Sequence, residues 1–240
     1  MLHSFSWFRS APDNGEVAVG VPAAAPANEA PAATAATAVP IRPIDPSQRE
    51  QIAGHLLALD PHDRYLRFGY GASDEQIRRY VAQLDFQRDE LFGIFNRKLE
   101  LIALAHLAFS VDPQCQSCAE FGVSVAKAAR GKRFGSALFE RAVTHARNEG
   151  VTMLFIHALT ENTAMLRIAR AAGAVIERDG SESEAHLVLP PANFDSRITE
   201  LLSDHVARTD YHLKAQAKRF WAVLRRLQTV RQDVQQRLLG

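Results

Sequence analysis

The stretch Ala119-Glu120-Phe121-Gly122-Val123-Ser124-Val125-Ala126-Lys127-Ala128-Ala129-Arg130-Gly131-Lys132-Arg133-Phe134-Gly135-Ser136-Ala137-Leu138 decides the fold. It opens in alternation. Phe121, Val123 and Val125 share one face, and Glu120, Gly122, Ser124 and Ala126 share the other, as on a strand. A basic turn containing glycines follows, and then a helical pattern from about 133 to 148, stopped by Gly150. The first amides of a helix lack internal partners, and its N-terminus is the positive end of its dipole. A strand, a cationic turn and a helix in that order therefore make a cradle for a phosphate or pyrophosphate. The candidate cofactor-binding residues are Arg130, Gly131, Lys132, Arg133, Phe134, Gly135 and Ser136. The plain alternative is a solvated basic loop, because short glycine motifs match often by chance.

Working downstream, 152–158 reads as a buried strand. A helix over 162–172 is closed by Gly173. Two short strands at about 174–178 and 184–189 turn at Asp179-Gly180. Upstream, residues 40–44 carry two prolines and suit an edge strand. Asp45 starts a helix that Asp60-Pro61 ends. Ser73 and Gln76 form a capping box for a second helix. Two apolar runs, 91–95 and 99–109, flank a hairpin turn at Asn96-Arg97-Lys98.

The rest of the 240-residue chain differs in composition. Residues 1–38 are rich in Ala and Pro and poor in large side chains, which predicts a disordered tail. After Pro190-Pro191, residues 192–240 read as an amphipathic basic helix. Leu213, Ala217, Phe220, Leu224 and Leu227 repeat at helical spacing. Lys214, Lys218, Arg219, Arg225, Arg226, Arg231 and Arg237 outnumber Asp233. The expected domain lies between, at 39–191. With 28 Lys and Arg against 27 Asp and Glu, the net charge of +1 indicates neither a globally basic nucleic-acid binder nor an acidic solvating protein. No apolar run is long enough for a helical membrane span. The apolar patch at Phe5, Trp7 and Phe8 lacks the core of a signal peptide. The expected location is the cytoplasm.

These motifs resemble the GCN5-related N-acetyltransferase (GNAT) superfamily over roughly 40–190. The family's phosphate loop reads Arg/Gln-x-x-Gly-x-Gly/Ala. Arg130 and Gly135 match its ends, and Arg133 replaces its middle glycine. Asn162 matches an Asn that, in the family, contacts the pantetheine arm or orders the helix start; alone it reads as an N-cap. Many members place a general-acid Tyr where this chain has Ala169. The resemblance implies an α/β fold with a mixed, mostly antiparallel twisted sheet flanked by helices. It implies acetyl-CoA as cosubstrate, and backbone hydrogen bonds from Val123 and Val125 to the pantetheine. Glu120, ten residues before Arg130, is similar to the strand glutamate of the bacterial protein-lysine acetyltransferase branch. The run Arg64-Tyr65-Leu66-Arg67-Phe68 and Glu161-Asn162 with Met165-Leu166 resemble that branch too.

Glu120 is the candidate catalytic residue. An alkyl ammonium of pKa about 10.4 is neutral in only on the order of one molecule in two thousand at pH 7. Attack on a thioester needs the neutral amine, so a nearby carboxylate is useful. Gly122, Ser124 and Ala126 on the same face are expected to leave room for a substrate. The plain alternative is a solvated strand carboxylate. The expected function is acetyl transfer to a primary amine, of a protein lysine or a small molecule. The competing reading is a degenerate domain that binds acyl-CoA or serves as an interaction module.

Other signals are discounted. Cys115 and Cys118 form a lone pair without further zinc ligands, and a strand, rather than a redox-tuning helix, follows them. No metal is expected. His106 and His157 read as satisfied histidines, with His157 an alternative base. Arg64, Tyr65, Arg67 and Phe68 either shape the acceptor site or pack a turn. The C-terminal helix is expected to dock on the domain or to self-associate, against the alternative of a solvated charged face.

Overall fold

The computed structural model describes residues 39–192 and Glu200. The expected N-terminal tail, and the expected C-terminal helix apart from Glu200, lie outside the described residues. Strands β1 (Ile41–Pro43), β2 (Glu90–Phe95), β3 (Leu101–Phe109), β4 (Cys118–Val125), β5 (Met153–Leu159), β6 (Val175–Asp179) and β7 (Glu182–Val188) form one seven-stranded sheet in the order β1-β2-β3-β4-β5-β7-β6. Every pairing is antiparallel except β4 with β5. The fold is the mixed, mostly antiparallel α/β arrangement expected.

Helices α1 (Arg49–Leu57), α2 (Pro61–Phe68) and α3 (Asp74–Ala82) precede β2, while α4 (Phe134–Asn148) and α5 (Thr163–Ala171) flank β5. The β4 alternation decides what each sheet face meets. Phe121 is buried against Phe139 of α4, ring centroids 5.0 Å apart. Leu154, Ile156, Leu138 and Leu166 join it in one core. The opposite face carries a second core, with Ile52, Leu56, Ile77, Val81 and Leu104.

Helix α2 was not anticipated. Asp60-Pro61 does lie beyond the end of α1, but the same pair opens α2. The Asp60 side chain accepts from the Asp63 amide at 2.9 Å, and Pro61 stands at the first helical position, where its fixed φ suits a helix. Arg64 holds the three helices together. It donates to the carbonyls of Leu57 (2.7 Å), Leu59 (3.1 Å) and Ala72 (3.2 Å), and pairs with Asp74 at 2.7 Å.

Glu200 lies on α4. Its carboxylate accepts from Arg141 at 2.6 Å, His145 at 2.5 Å and Asn148. These three fall on one stripe of the helix. Burial pushes the Glu200 pKa up, but the three hydrogen bonds outweigh it and hold the carboxyl at about 2. Among the described residues no helix is long and apolar enough to cross a membrane.

Candidate functional site

The parallel pairing of β4 with β5 is short. It covers Cys118–Met153, Ala119–Leu154 and Glu120–Phe155, and stops there. Ser110 N donates to Cys118 O, and Ala126 N donates to Ile102 O, so the even positions of β4 face β3. The backbone groups of Val123 and Val125 point the other way, into the gap beyond the last β5 pair.

The loop from Lys127 leads from that gap to α4. Its first intrahelical bond runs from Ala137 N to Arg133 O at 3.0 Å. The amides of Phe134, Gly135 and Ser136 therefore have no partner inside the helix. Arg133, the N-cap, makes no side-chain capping bond, so the helix end is open to an anion. Arg133 has φ +60°, and Gly131 φ +76°. Arginine thus stands where the family motif has glycine, with glycine's left-handed backbone; the loop keeps its path at a strain cost of about 1 kcal/mol. A β-carbon on Gly135 would come within 3.2 Å of Ile168 Cδ1, so its closeness to α5 favours glycine. Arg130 turns back from the loop. It pairs with the buried carboxylate of Asp63 on α2, and its Nε donates to Val125 O at 3.3 Å. Asp63 escaped the sequence reading because nothing local marks it; its partner lies 67 residues away.

The Glu120 side chain makes no hydrogen bond or ion pair among the described residues, and the residue is partly exposed. The expectation of room beside it needs correction. A β-carbon on Gly122 would fall 2.8 Å from Arg67 Nη2 and 2.9 Å from its Cζ, so the space over Gly122 is taken by a guanidinium. Ser124 is buried and bonds to His55 Nε2 at 2.9 Å. The His55 Nδ1–H donates to Leu101 O at 3.1 Å, so Nε2 accepts from the serine hydroxyl. Burial, the largest cause, pushes the His55 pKa down to about 4. Small residues on β4 admit side chains from α1 and α2, which fill the space over Gly122 and Ser124.

Arg67 ends a hydrogen-bonded chain. Its Nη2 donates to Tyr80 Oη at 3.1 Å, the tyrosine hydroxyl lies 2.7 Å from His106 Nδ1, and His106 Nε2 lies 3.2 Å from Asp89 Oδ2. The donors fit one direction only. A guanidinium cannot accept and a carboxylate cannot donate, so the hydroxyl proton points at Nδ1 and Nε2 carries the other. Burial pushes the Tyr80 pKa up against the pull of Arg67 and keeps it a hydroxyl. Burial also pushes Asp89 up, but hydrogen bonds from His106 and Arg88 outweigh it, and it lies below the usual range. His106 is satisfied, as expected, but as a member of this chain. The sequence signal for Tyr80 lies in its hydroxyl, which must find a partner when buried.

Asn162 caps α5, accepting from Met165 N at 3.1 Å, and its Nδ2 donates to Leu66 O of α2 at 3.4 Å. Ala169 is fully buried. His157 is exposed on β5, with Nδ1 3.9 Å from Glu184. A cavity of about 380 Å³ is lined by Tyr65, Thr160, Glu161 and Ser181. A larger one of about 560 Å³ lies beside His55, Asp63 and Lys127. Cys115 and Cys118, discounted from sequence, are joined as a disulfide at the start of β4.

Residues 39–175 match the family described as "Acetyltransferase (GNAT) domain". The chain belongs to the GNAT acetyltransferase family. Solved GNAT folds agree. The GNAT domain of S. lividans PAT is 21% identical with a TM-score of 0.54, over 62% of this chain and 89% of that one. A GNAT-family acetyltransferase from Streptococcus pneumoniae is 15% identical with a TM-score of 0.51, over 62% and 98%. Spermidine N-acetyltransferase from Vibrio cholerae, solved in complex with CoA and spermine, is 17% identical with a TM-score of 0.50, over 62% and 94%. No curated protein matches the sequence. GNAT enzymes take their acetyl group from acetyl-CoA. The open α4 terminus and the half-paired β4 are features that suit that cosubstrate's pyrophosphate and its amide-bearing arm.

Proposed function

We propose that this protein transfers the acetyl group of acetyl-CoA to a primary amine by direct attack, with Glu120 as the base. The observation that carries this reading is the gap after Glu120. Val123 and Val125 turn their backbone to it with no β5 partner, and Glu120, whose carboxylate has no partner among the described residues, is the last β4 residue paired before it.

The roles follow from chemistry. The amides of Phe134, Gly135 and Ser136, with the charge of Lys132 and Arg133 and the turn at Gly131, hold the pyrophosphate. Arg130, tied to Asp63, fixes the loop against α2 and adds positive potential. Val123 and Val125 bind the pantetheine amides, and Asn162 fixes the α5 end of the gap. When bound, acetyl-CoA supplies the activated thioester. Glu120 takes the ammonium proton, the amine nitrogen bonds to the acetyl carbon, the C–S bond breaks as the thiolate leaves, and the second proton shed by the nitrogen passes to water. A β4 amide aimed at the carbonyl oxygen stabilises the charge that develops there. With Ala169 where many members have tyrosine, no acid stands at that position. A thiol of pKa near 8.5 leaves as thiolate without one.

The acceptor is a protein lysine or a small amine. The resemblance around Arg64–Phe68 and Glu120, and the likeness to S. lividans PAT, support the protein-lysine branch. Residues 39–191 carry the activity. Calorimetric titration with acetyl-CoA, followed by acetylation assays on lysine peptides and small amines, tests the reading. Micromolar binding and turnover that depends on Glu120 are expected. Absence of binding at millimolar ligand overturns it and favours an interaction module.

A further inference from the structure

Among the described residues Arg67 is a cation without a counter-ion. It forms no ion pair among the described residues, and its hydrogen bond goes to the neutral Tyr80 hydroxyl. Its guanidinium sits over the Phe68 and Tyr80 rings, 5.2 and 5.7 Å from their centroids, and its buried Nε has no hydrogen-bond partner. Neither of the two carboxylates that act on Tyr80, Asp89 and Glu120, is paired with Arg67. Asp89 is bonded to Arg88 and His106, and Glu120 lies two residues along β4 from the glycine that Arg67 covers. A partly buried guanidinium held on two rings, with spare donors, attracts an anion, and its planar fork matches the two oxygens of a carboxylate.

We propose that the acceptor amine carries a carboxylate, which Arg67 receives while the amine faces Glu120. This deepens the acetyl-transfer reading and rests on it. Gly122 and Glu120 stand about 6.6 Å apart along the strand face. With Arg67 over Gly122 and Glu120 the next residue along the same strand face, one small molecule that carries its amine close to its carboxylate can meet both, so the acceptor class is a free amino acid. A purely cationic acceptor, such as a polyamine, would face the like charge of Arg67. The chain Asp89–His106–Tyr80 makes Tyr80 a positioning residue: its hydroxyl holds Nη2 on one side and leaves Nη1 and the second Nη2 proton to the ligand.

The test uses the full chain saturated with CoA or acetyl-CoA. Common α-amino acids are compared with their carboxamides and their decarboxylated amines, by calorimetric binding and by thiol release. The expected result is a KM at least about tenfold lower for the amino acid than for its carboxamide. Arg67→Gln should collapse that ratio toward one. Tyr80→Phe should raise KM for the amino acid and leave KM for the carboxamide unchanged, a split that mere loss of fold would not produce. Equal use of all three amine types, or a ratio that survives Arg67→Gln, overturns the inference and leaves acetyl transfer standing. Arg67-dependent binding of amino acids without turnover upholds the site and overturns the transfer reading. Neither binding nor turnover overturns both.

Discussion

The guanidinium of Arg67 lies against the α-carbon of Gly122, in the space a side chain there would fill. The atoms a Gly122→Ala β-carbon meets, at 2.8 to 3.0 Å, all belong to the far end of one side chain. The fold can yield by moving Arg67, but the site cannot. Gly122→Ala is therefore expected to change stability by less than about 1 kcal/mol while raising the acceptor KM several-fold. Urea unfolding beside steady-state kinetics checks the pair.

Glu120→Gln keeps the shape and removes the carboxylate proposed as the base. Turnover near pH 7 is expected to fall by about 10²- to 10⁴-fold. The deficit should shrink as pH rises toward the amine's own pKa, because solution then supplies the neutral amine. A kcat/KM profile of both proteins from pH 6 to about pH 10 reads this directly. A deficit constant across the range would remove Glu120 from the base role.

Arg133 pays a conformational cost at φ +60°. Arg133→Gly is expected to stabilise the fold by up to about 1 kcal/mol, since the native backbone angle is one glycine adopts freely. Loop amides keep their positions, so acetyl-CoA should still bind in the micromolar range. Chemical denaturation and calorimetry test the two halves separately.

His55 makes stability depend on pH. Its folded pKa of about 4 lies below the ordinary 6.5, so the unfolded chain takes up the proton first. Stability from this residue is complete above about pH 6.5 and falls as pH drops toward 4, by up to about 3 kcal/mol. His55→Gln should flatten that slope in unfolding measurements between the two values.

Glu200 gives a second, more acidic slope. Its folded pKa of about 2 lies below the ordinary 4.5, so its contribution is present above 4.5 and is lost as pH falls toward 2. Glu200→Ala leaves Arg141, His145 and Asn148 facing the space it filled, and should cost about 2–3 kcal/mol near neutral pH. A melting series of the variant shows whether the contact contributes as much as its geometry implies.

The elements were legible where local chemistry decides them. The β4 alternation, the Ser73–Gln76 capping box and the Asn162 cap appear in the structure within a residue or two of the expected positions. Helix α2 was missed because Asp-Pro ends one helix and opens another with the same two residues. In the candidate site, spacing alone marks the loop and Glu120 as candidates. It does not mark Asp63, Tyr80 and Asp89, because each acts through a partner from another element. The small residues of β4 illustrate the limit. Alternation reveals which face Gly122 and Ser124 occupy, but whether substrate or protein fills the space depends on the lengths of Arg67 and His55, which only the tertiary fold brings there.

Mechanically, the sheet is two leaves, β1–β4 and β6, β7 with β5, stitched by the pairs at Cys118, Ala119 and Glu120. Beyond that short stitching runs a seam along which the backbone of Val123 and Val125 has no β5 partner. A long molecule bearing its own amides, laid into the seam, closes it as another strand would. Ligand loading and cohesion of the leaves are then one event. Melting temperature should climb with the logarithm of acetyl-CoA concentration above its Kd, and a domain emptied of it is the form that comes apart along its middle.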